Sequence, residues 1–394
     1  MVSFSFFRKH RYWYLYFLII AFLFLKMIRG VYGGESSGGG VWNIIQVLFV
    51  LLGVVFFFSK YNRNSRSINV FFVFSIWQMI VSLLNMIYSP IDSLSSWFYL
   101  FTSPCAPSVL LLFYCVTQKY DIHDFAFLIK TSYYVLILMF YYSMARHRIA
   151  AADEYIAFSD IYYPLCLLPL VLLLTKTKRT VFPLLAVMLG IIVSGKRGGL
   201  VIVAIVAFVY YFFGENKRKS NKIFVLLLFS VLVVISSLLI NYIDSVYGLH
   251  TIDRMMHSKE DGGSGRFSRW DILLSAIGKS DLWELIFGRG FGAVYGLIGG
   301  RAHNDFIEIF YNFGLITVVL YVVFYLRLFV VNFKQYRCHY PYAKYMTCSI
   351  IVSLVLAMVS FFIVEPTYVL ASMFVTGLLL GDWNKFSNNS YQIN

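Results

Sequence analysis

Residues 44–58 read IIQVLFVLLGVVFFF, an apolar run that only a glutamine and a glycine interrupt. With its flanks the run approaches the length of about 20 residues that a helix needs to cross the hydrocarbon core of a membrane. Similar runs recur, with centres near residues 20, 50, 78, 107, 135, 168, 187, 206, 231, 318, 354 and 373. The sequence therefore predicts an all-α, polytopic integral membrane protein with about 12 transmembrane helices.

The composition supports this class and argues against nucleic acid as a partner. Of the 394 residues, 60% are hydrophobic and 13% are charged, whereas soluble domains carry about 25% charged residues. The net charge of +14 would suggest nucleic acid binding in a soluble protein. Here Lys and Arg instead form short clusters between apolar runs, as is typical of charges retained on the cytoplasmic side of a membrane.

The alternation of basic and less basic connections predicts the orientation. Basic connections begin with Arg8–Arg11 and Lys60–Arg66 and end at Lys385, and the positive-inside rule places them and both termini in the cytoplasm. We expect residues 1–240 to form transmembrane helices 1–9 and residues 305–394 to form helices 10–12. Residues 241–304 would form one large external loop.

This loop is the longest polar stretch of the chain. Apolar residues recur at helical spacing between positions 267 and 277, which predicts an amphipathic helix over about Ser268–Ile277. The glycines of GRGFG (288–292) allow a tight turn close to a ligand, with Arg289 between them. Neither this motif nor GIIVSGK (190–196) predicts a nucleotide site, because the first lacks a βαβ unit and the second is apolar.

The loop ends in RAHND (301–305), directly before the run near residue 318. His303 could take a proton from a hydroxyl, since free histidine has a pKa near 6.5. Asn304 is a predicted helix N-cap, and Asp305 and Glu308 share a face of the first turn. The alternative to a role in the chemistry is a structural one for Asn304 and Asp305. Their side chains would then accept hydrogen bonds from the free N–H groups in the first turn of the helix that follows.

Metal binding has little support in the sequence. No pair among the five cysteines has zinc-ligand spacing, so we interpret them as small core residues rather than ligands or disulfide partners. His250 and His257 stand at no ligand spacing relative to His303. We therefore expect neither a metal nor another cofactor.

Cations at the external face suggest an anionic ligand. Lys196 and Arg197 lie at an external helix boundary against the positive-inside rule, so they are candidates for binding an anion, with snorkelling as the alternative. Arginine forks bind phosphate oxygens in bidentate fashion and stabilise a leaving diphosphate without a metal. A histidine beside such arginines suits transfer of a group from a lipid diphosphate onto an alcohol.

Four short motifs occur in a fixed order around the external loop. They are SGKRGG (194–199), GSGRFSRWD (263–271), LIFGRGFG (285–292) and HNDFIEIFYNFGLI (303–316). In this order and spacing the chain resembles the bacterial O-antigen polymerases and ligases. The resemblance implies a metal-independent, inverting glycosyltransferase of the inner membrane that acts at the periplasmic face on undecaprenyl-diphosphate-linked oligosaccharide.

The resemblance also implies roles for individual residues. By matching position, Arg197, Arg266 and Arg289 would hold the diphosphate, with Arg269 as the alternative to Arg266. Arg301 is a further candidate, and His303 would act as base or orient the acceptor. We therefore assign His303 and Arg289 to catalysis. The residues assigned to substrate binding are Arg197, Arg266, Arg301 and Lys196. Expected partners are the lipid-linked oligosaccharide, membrane lipid and a chain-length regulator protein.

Three functions stay open on the sequence. A polymerase would extend the next lipid-linked repeat unit, whereas a ligase would transfer the glycan to lipid A core. The aromatic-rich spans favour the polymerase. A transporter of lipid-linked oligosaccharide is the third reading, but the halves show no repeat and the charges concentrate in one loop.

Overall fold

A computed structural model describes most of the chain. It covers residues 13–32, 40–60, 66–86, 102–150, 159–176, 179–194, 196–213, 262–360, 363 and 368–391. Within these ranges the protein is helical and contains no strand. The predicted all-α class is therefore confirmed for the described residues.

The helices follow the predicted apolar runs. They are α1 (Trp13–Tyr32), α2 (Gly40–Lys60), α3 (Arg66–Asn85), α4 (Cys105–Thr117), a 3₁₀ turn (Ile122–Phe125), α5 (Ala126–Ala150), α6 (Tyr162–Leu174), α7 (Val181–Ser194), α8 (Arg197–Phe212), α9 (Gly262–Gly278), α10 (Leu282–Phe287), α11 (Ala293–Ile298), α12 (Asp305–Arg337), α13 (Ala343–Val359) and α14 (Val369–Tyr391). Every predicted run except the one near residue 231 falls within a helix. That run and residues 241–261 of the predicted loop lie outside the described residues.

Three of the described helical segments are long and apolar enough to cross a membrane, and further apolar helices are shorter. The long ones are Arg66–Asn85, Ile122–Arg146 and Asp305–Arg337. Large apolar side chains are exposed on several helices, including Phe58 on α2 and Leu138 on α5. Such surfaces suit a lipid environment. The protein is therefore a helical membrane protein, while twelve spans and the external position of the loop stay predictions.

The centre of the bundle is formed by α4, α6 and the first part of α14, whose residues are buried on all faces. Helices α4 and α14 approach closely because Gly377 and Gly381 lie directly against the α4 backbone, at the carbonyls of Leu110 and Tyr114. Small residues at such contacts are typical of helix pairs in membranes. All five cysteines lie in the described residues as free thiols, and only Cys338 is exposed.

The described part of the predicted loop folds into a small helical cap. Helix α9 contains the predicted amphipathic segment and begins earlier, at Gly262. It packs with α11 and the start of α12 around a second apolar core formed by Leu273, Val294, Ala302 and Tyr311. The cap is therefore built from the last part of the predicted loop and from the first turns of α12, which belongs to the bundle.

Helix α12 is broken at Gly314, which the sequence interpretation did not foresee. Gly314 has φ 76° and ψ −179°, a conformation that essentially only glycine adopts. The break leaves backbone carbonyls without their usual partners in the helix. Arg289 N–H donates to the Tyr311 carbonyl at 3.1 Å, and Gly290 N–H donates to the Asn312 carbonyl at 2.8 Å.

The GRG turn fits this break closely. Gly288, with φ 72°, lies against the backbone of Asn312 and Phe313, and Gly314 lies against the carbonyl of Ile286. A side chain at either glycine would collide with backbone. The glycines of LIFGRGFG and of FYNFGLI therefore form one structural unit that joins the cap to α12.

Substituting Gly314 with alanine tests this unit. We expect Gly314→Ala to destabilise the protein by at least about 2 kcal/mol, because alanine is strained at this φ and ψ and its Cβ would meet the Ile286 carbonyl. The unfolding temperature in detergent measures the effect. Gly296→Ala is the matched control, since no atom lies near that position. Equal unfolding temperatures for both variants would contradict the proposed unit.

Candidate active site

His303 lies in the turn between α11 and α12, in a backbone conformation unusual for its residue type. Its φ is 55°, in the left-handed region that non-glycine residues seldom adopt. The next residue, Asn304, is the N-cap of α12, and its side chain accepts hydrogen bonds from the N–H groups of Phe306 and Ile307. The predicted cap is confirmed, and it fixes the turn that presents His303.

A buried carboxylate holds the other side of this turn. Glu308 is fully buried and accepts from Arg301 Nη1 and from the Ala302 N–H, each at 3.0 Å. The Arg301 side chain is 18% exposed, so the pair is largely removed from water. Glu308 therefore fixes both the guanidinium of Arg301 and the backbone just before His303.

Helix α9 reaches the same turn through two side chains. Arg269 Nη1 donates to the Arg301 carbonyl at 3.1 Å, and Trp270 Nε1 donates to the Ala302 carbonyl at 2.7 Å. The structure thus joins GSGRFSRWD to RAHND by hydrogen bonds across more than thirty residues of sequence.

The charges of four cations act on His303. Burial, with the charges of Arg266, Arg269, Lys196 and Arg301, lowers the pKa of His303 from 6.5 to about 4. We call these four residues, together with His303, the cationic cluster. At neutral pH its histidine is uncharged and able to accept a proton, and its cations are placed to bind an anion.

Lys196 enters the cluster from the bundle. It occupies the N-cap position of α8, and its carbonyl accepts from the Gly199 N–H at 2.9 Å. Gly198 lies against Val359 and Gly199 against Ile191, so glycines let the start of α8 approach its neighbours. Arg197 is the first residue of α8, but its side chain lies outside the described residues.

Tyrosines from the bundle lie beside the cluster. Tyr162, at the first residue of α6, is close enough to Arg266 to experience its charge. The ring of Tyr162 contacts that of Tyr368 with centroids 5.3 Å apart, and Tyr163 contacts the same ring at 5.8 Å. These rings give the region of Arg266 an aromatic border with hydroxyl groups.

Arg289 is held by a different set of contacts. Its Nη2 donates to Glu284 Oε2 at 2.7 Å and to Ser280 Oγ at 3.2 Å, and its Nη1 donates to the Tyr311 hydroxyl at 3.1 Å. The guanidinium also lies over the Tyr311 ring, 5.1 Å from its centroid. These contacts give Arg289 a structural role in the cap, and its catalytic assignment stays a prediction.

The structure thus brings together most of the predicted substrate-binding residues. Lys196, Arg266 and Arg301 act on His303, whereas Arg289 is engaged within the cap. Sequence reasoning named Arg269 only as the alternative to Arg266, and it missed Glu308 as the carboxylate that holds Arg301. It placed Glu308 only on the face it shares with Asp305. The signal available for Arg269 was its position in the same motif as Arg266.

A family match covers this whole region. Residues 182–322 match a protein family described as O-antigen ligase. The matched segment contains all of the predicted site residues and the break at Gly314. A comparison with curated proteins found no match.

The fold and the family match define the class of this protein. It is a helical membrane protein in which residues 182–322 match a family described as O-antigen ligase, and this match is consistent with the resemblance drawn from the motifs. This family consists of membrane enzymes of O-antigen assembly, which resemble glycosyltransferases.

Removing the charge of Glu308 tests the support of the turn. We expect Glu308→Gln to destabilise the protein by roughly 3–5 kcal/mol, because it removes the carboxylate charge that faces the largely buried guanidinium of Arg301. Glu284→Gln, in the more exposed pair with Arg289, should cost less than about 1 kcal/mol. Unfolding temperatures in detergent compare the two. Similar losses would show that the Glu308 pair is not the stronger support.

The pKa of His303 gives a second test. The unfolded chain binds this proton near pH 6.5 and the folded protein only near pH 4. His303 should therefore make the folded protein less stable as the pH falls from about 6.5 to about 4, and His303→Gln should remove that contribution. In Arg269→Gln the pKa of His303 should rise, because a neighbouring positive charge is lost. Nitrogen-15 NMR of labelled histidine measures the pKa, and unfolding temperatures across this pH range measure the change in stability. Lys279→Gln, which removes a cation directly after α9, is the control.

Proposed function

We propose that this protein is an O-antigen polymerase of the bacterial inner membrane. It transfers a growing glycan from undecaprenyl diphosphate onto the next undecaprenyl-diphosphate-linked repeat unit at the periplasmic face. The observation that carries the proposal is the cationic cluster, in which the charges of four cations act on a neutral histidine at one end of α12. Lipid-linked oligosaccharide is the substrate and membrane lipid is the surrounding solvent.

The cluster suits a diphosphate leaving group. Arg266, Arg269 and Lys196 carry charges that act at His303, and guanidinium groups donate in a fork that matches phosphate oxygens. When the bond between the sugar and the diphosphate breaks, negative charge grows on the phosphate oxygen. Cations already held in place stabilise that charge most at the transition state, and such contacts lower the barrier.

His303 supplies the proton acceptor. In the proposed step the acceptor hydroxyl oxygen attacks the anomeric carbon, and its proton passes to His303. The bond from the anomeric carbon to the diphosphate oxygen breaks, and its electron pair stays on the diphosphate. A single displacement of this kind inverts the anomeric centre. Because arginines and lysine carry the charge, the step is proposed to proceed without a metal.

The low pKa of His303 would make its strength as a base depend on whether the diphosphate donor is bound. Without substrate, burial and four cations hold the pKa of His303 near 4, so the imidazole is a weak base. The negative charges of a bound diphosphate would offset those cations and raise the pKa of His303. The base would then gain strength when the donor is in place.

The proposed membrane topology rests on the distribution of Lys and Arg among the connections between helices. Both termini and the basic connections are assigned to the cytoplasm by the positive-inside rule, which leaves the cationic cluster on the periplasmic side. A chain-length regulator protein is the proposed partner that would end polymerisation. Residues 1–240 and 305–394 would supply the spans, and residues 241–304 the loop that forms the cap.

A ligase is the second candidate, because the matched family is described as O-antigen ligase. The same cluster would hold the same donor, and only the acceptor would differ. Lipid A core would replace the lipid-linked repeat unit. The acceptor side of the site therefore decides between the two functions.

The test is turnover by purified protein in liposomes. A synthetic undecaprenyl-diphosphate repeat unit is supplied to wild type, His303→Ala and Arg266→Gln, with Lys279→Gln as a control cation of the cap. We expect ladders of lengthening glycan from wild type and the control. Losses of roughly 10²–10⁴-fold are expected for the histidine variant and of roughly 10²–10³-fold for the arginine variant.

Other outcomes would point to other functions. Transfer that requires lipid A core would favour the ligase. Movement of intact lipid-linked oligosaccharide across the liposome membrane, without new glycosidic bonds, would identify a transporter and contradict the enzyme. Full turnover by His303→Ala would show that His303 is not the base.

A further inference from the structure

A second cationic site lies far from His303. A cavity of about 340 Å³ between α3 and α12 is lined by Arg66, Ser67, Arg327, Val330, Val331 and Lys334. His303 precedes the first residue of α12, and the cavity lies near the other end of that helix. We call it the lower cavity. It is separate from the cationic cluster and takes no part in the proposed transfer step.

The lower cavity gathers three cations on two helices. Arg327 and Lys334 stand seven residues apart on α12, so they share one face of that helix with Val330 and Val331. Arg66 begins α3 and faces them across the cavity. No ion pair between described residues includes any of these three cations. Their charges repel one another, and a bound anion would offset that repulsion.

The position of Arg327 along α12 is a second reason to expect a bound anion. It stands ten residues before the end of α12 at Arg337, which is roughly 15 Å along the helix axis. The large apolar residues around it, Leu326, Phe329, Val330 and Phe333, are exposed. A cation set among lipid-facing residues is costly unless an anion or water reaches it.

The surroundings indicate the class of ligand. Two guanidinium groups and an ammonium group are suited to phosphate oxygens, and basic pockets between transmembrane helices are known to hold anionic lipid headgroups. The exposed side chain of Val330 lines the cavity, and the exposed Phe333 stands three residues further along α12. Both would contact acyl chains. A soluble phosphate would leave this apolar surface unused.

We propose that the lower cavity binds the phosphate of an anionic phospholipid, at the end of α12 that the charge pattern assigns to the cytoplasm. Arg66, Arg327 and Lys334 would bind the headgroup, and the apolar face of α12 would hold the chains. The lipid would connect α3 to α12. The proposal does not depend on the function assigned to His303.

The test compares two triple variants that lose the same net charge. R66Q/R327Q/K334Q removes the cations of the lower cavity, and K176Q/R179Q/R337Q removes three other exposed cations. Native mass spectrometry of protein in detergent measures binding of phosphatidylglycerol, phosphatidylcholine and soluble glycerol phosphate. All six side chains are exposed, so unfolding temperatures should stay close to wild type. If the triple variant unfolds, lipid binding is measured with the single variant Arg327→Gln instead.

The expected result is selective loss of the anionic lipid. Each cation near a lipid phosphate contributes a factor of roughly five in affinity, so the cavity variant should bind phosphatidylglycerol at least about tenfold more weakly. The control triple should bind it nearly as well as wild type. Equal losses in both triples, or equal binding of both lipids by wild type, would overturn the proposal. Displacement by glycerol phosphate at the same concentration as lipid would assign the cavity to a soluble phosphate instead.

Discussion

The break in α12 at Gly314 is the constraint on which the arrangement of the cap depends. Backbone groups that a helix break sets free need new partners, above all in the hydrocarbon core of a membrane, where no water can satisfy them. Here the N–H groups of Arg289 and Gly290 bind the carbonyls of Tyr311 and Asn312. Because of these hydrogen bonds, the first turns of α12 pack within the cap while the remainder of the helix packs within the bundle. His303 is presented at the start of those turns because the cap is anchored there.

The electrostatics of the site follow from how that anchored cap meets the bundle. Helix α9 supplies Arg266 and Arg269, the start of α8 supplies Lys196, and the turn before α12 supplies Arg301 and His303. Arg301 has a buried carboxylate partner, Glu308. Burial and the resulting positive potential lower the pKa of His303, and the potential would favour an anionic ligand. One arrangement therefore accounts for both a neutral base and a phosphate site.

The two cationic sites on α12 differ in how their charges are supported. Around His303, hydrogen bonds to the backbone and a buried carboxylate hold several groups in place, which suits precise positioning at a reaction centre. In the lower cavity the cations belong to two helices without an acidic partner among the described residues, and exposed apolar side chains lie beside them. That setting suits a headgroup bound by charge. A single helix thus connects two sites of different character.

The sequence by itself determined the helical membrane class, the positions of the described apolar helices, the N-cap at Asn304 and the family of the central domain. These properties follow from local composition, spacing and motif order, which act within a few turns of the chain. Only the tertiary structure brought Arg269 to His303, paired Arg301 with Glu308 and tied Arg289 into the cap. The charge of a distant residue acts on a histidine only once folding has brought the two close together and excluded water from between them. For the same reason the break at Gly314 could not be deduced from its own run, since the groups that satisfy it come from a loop more than twenty residues earlier.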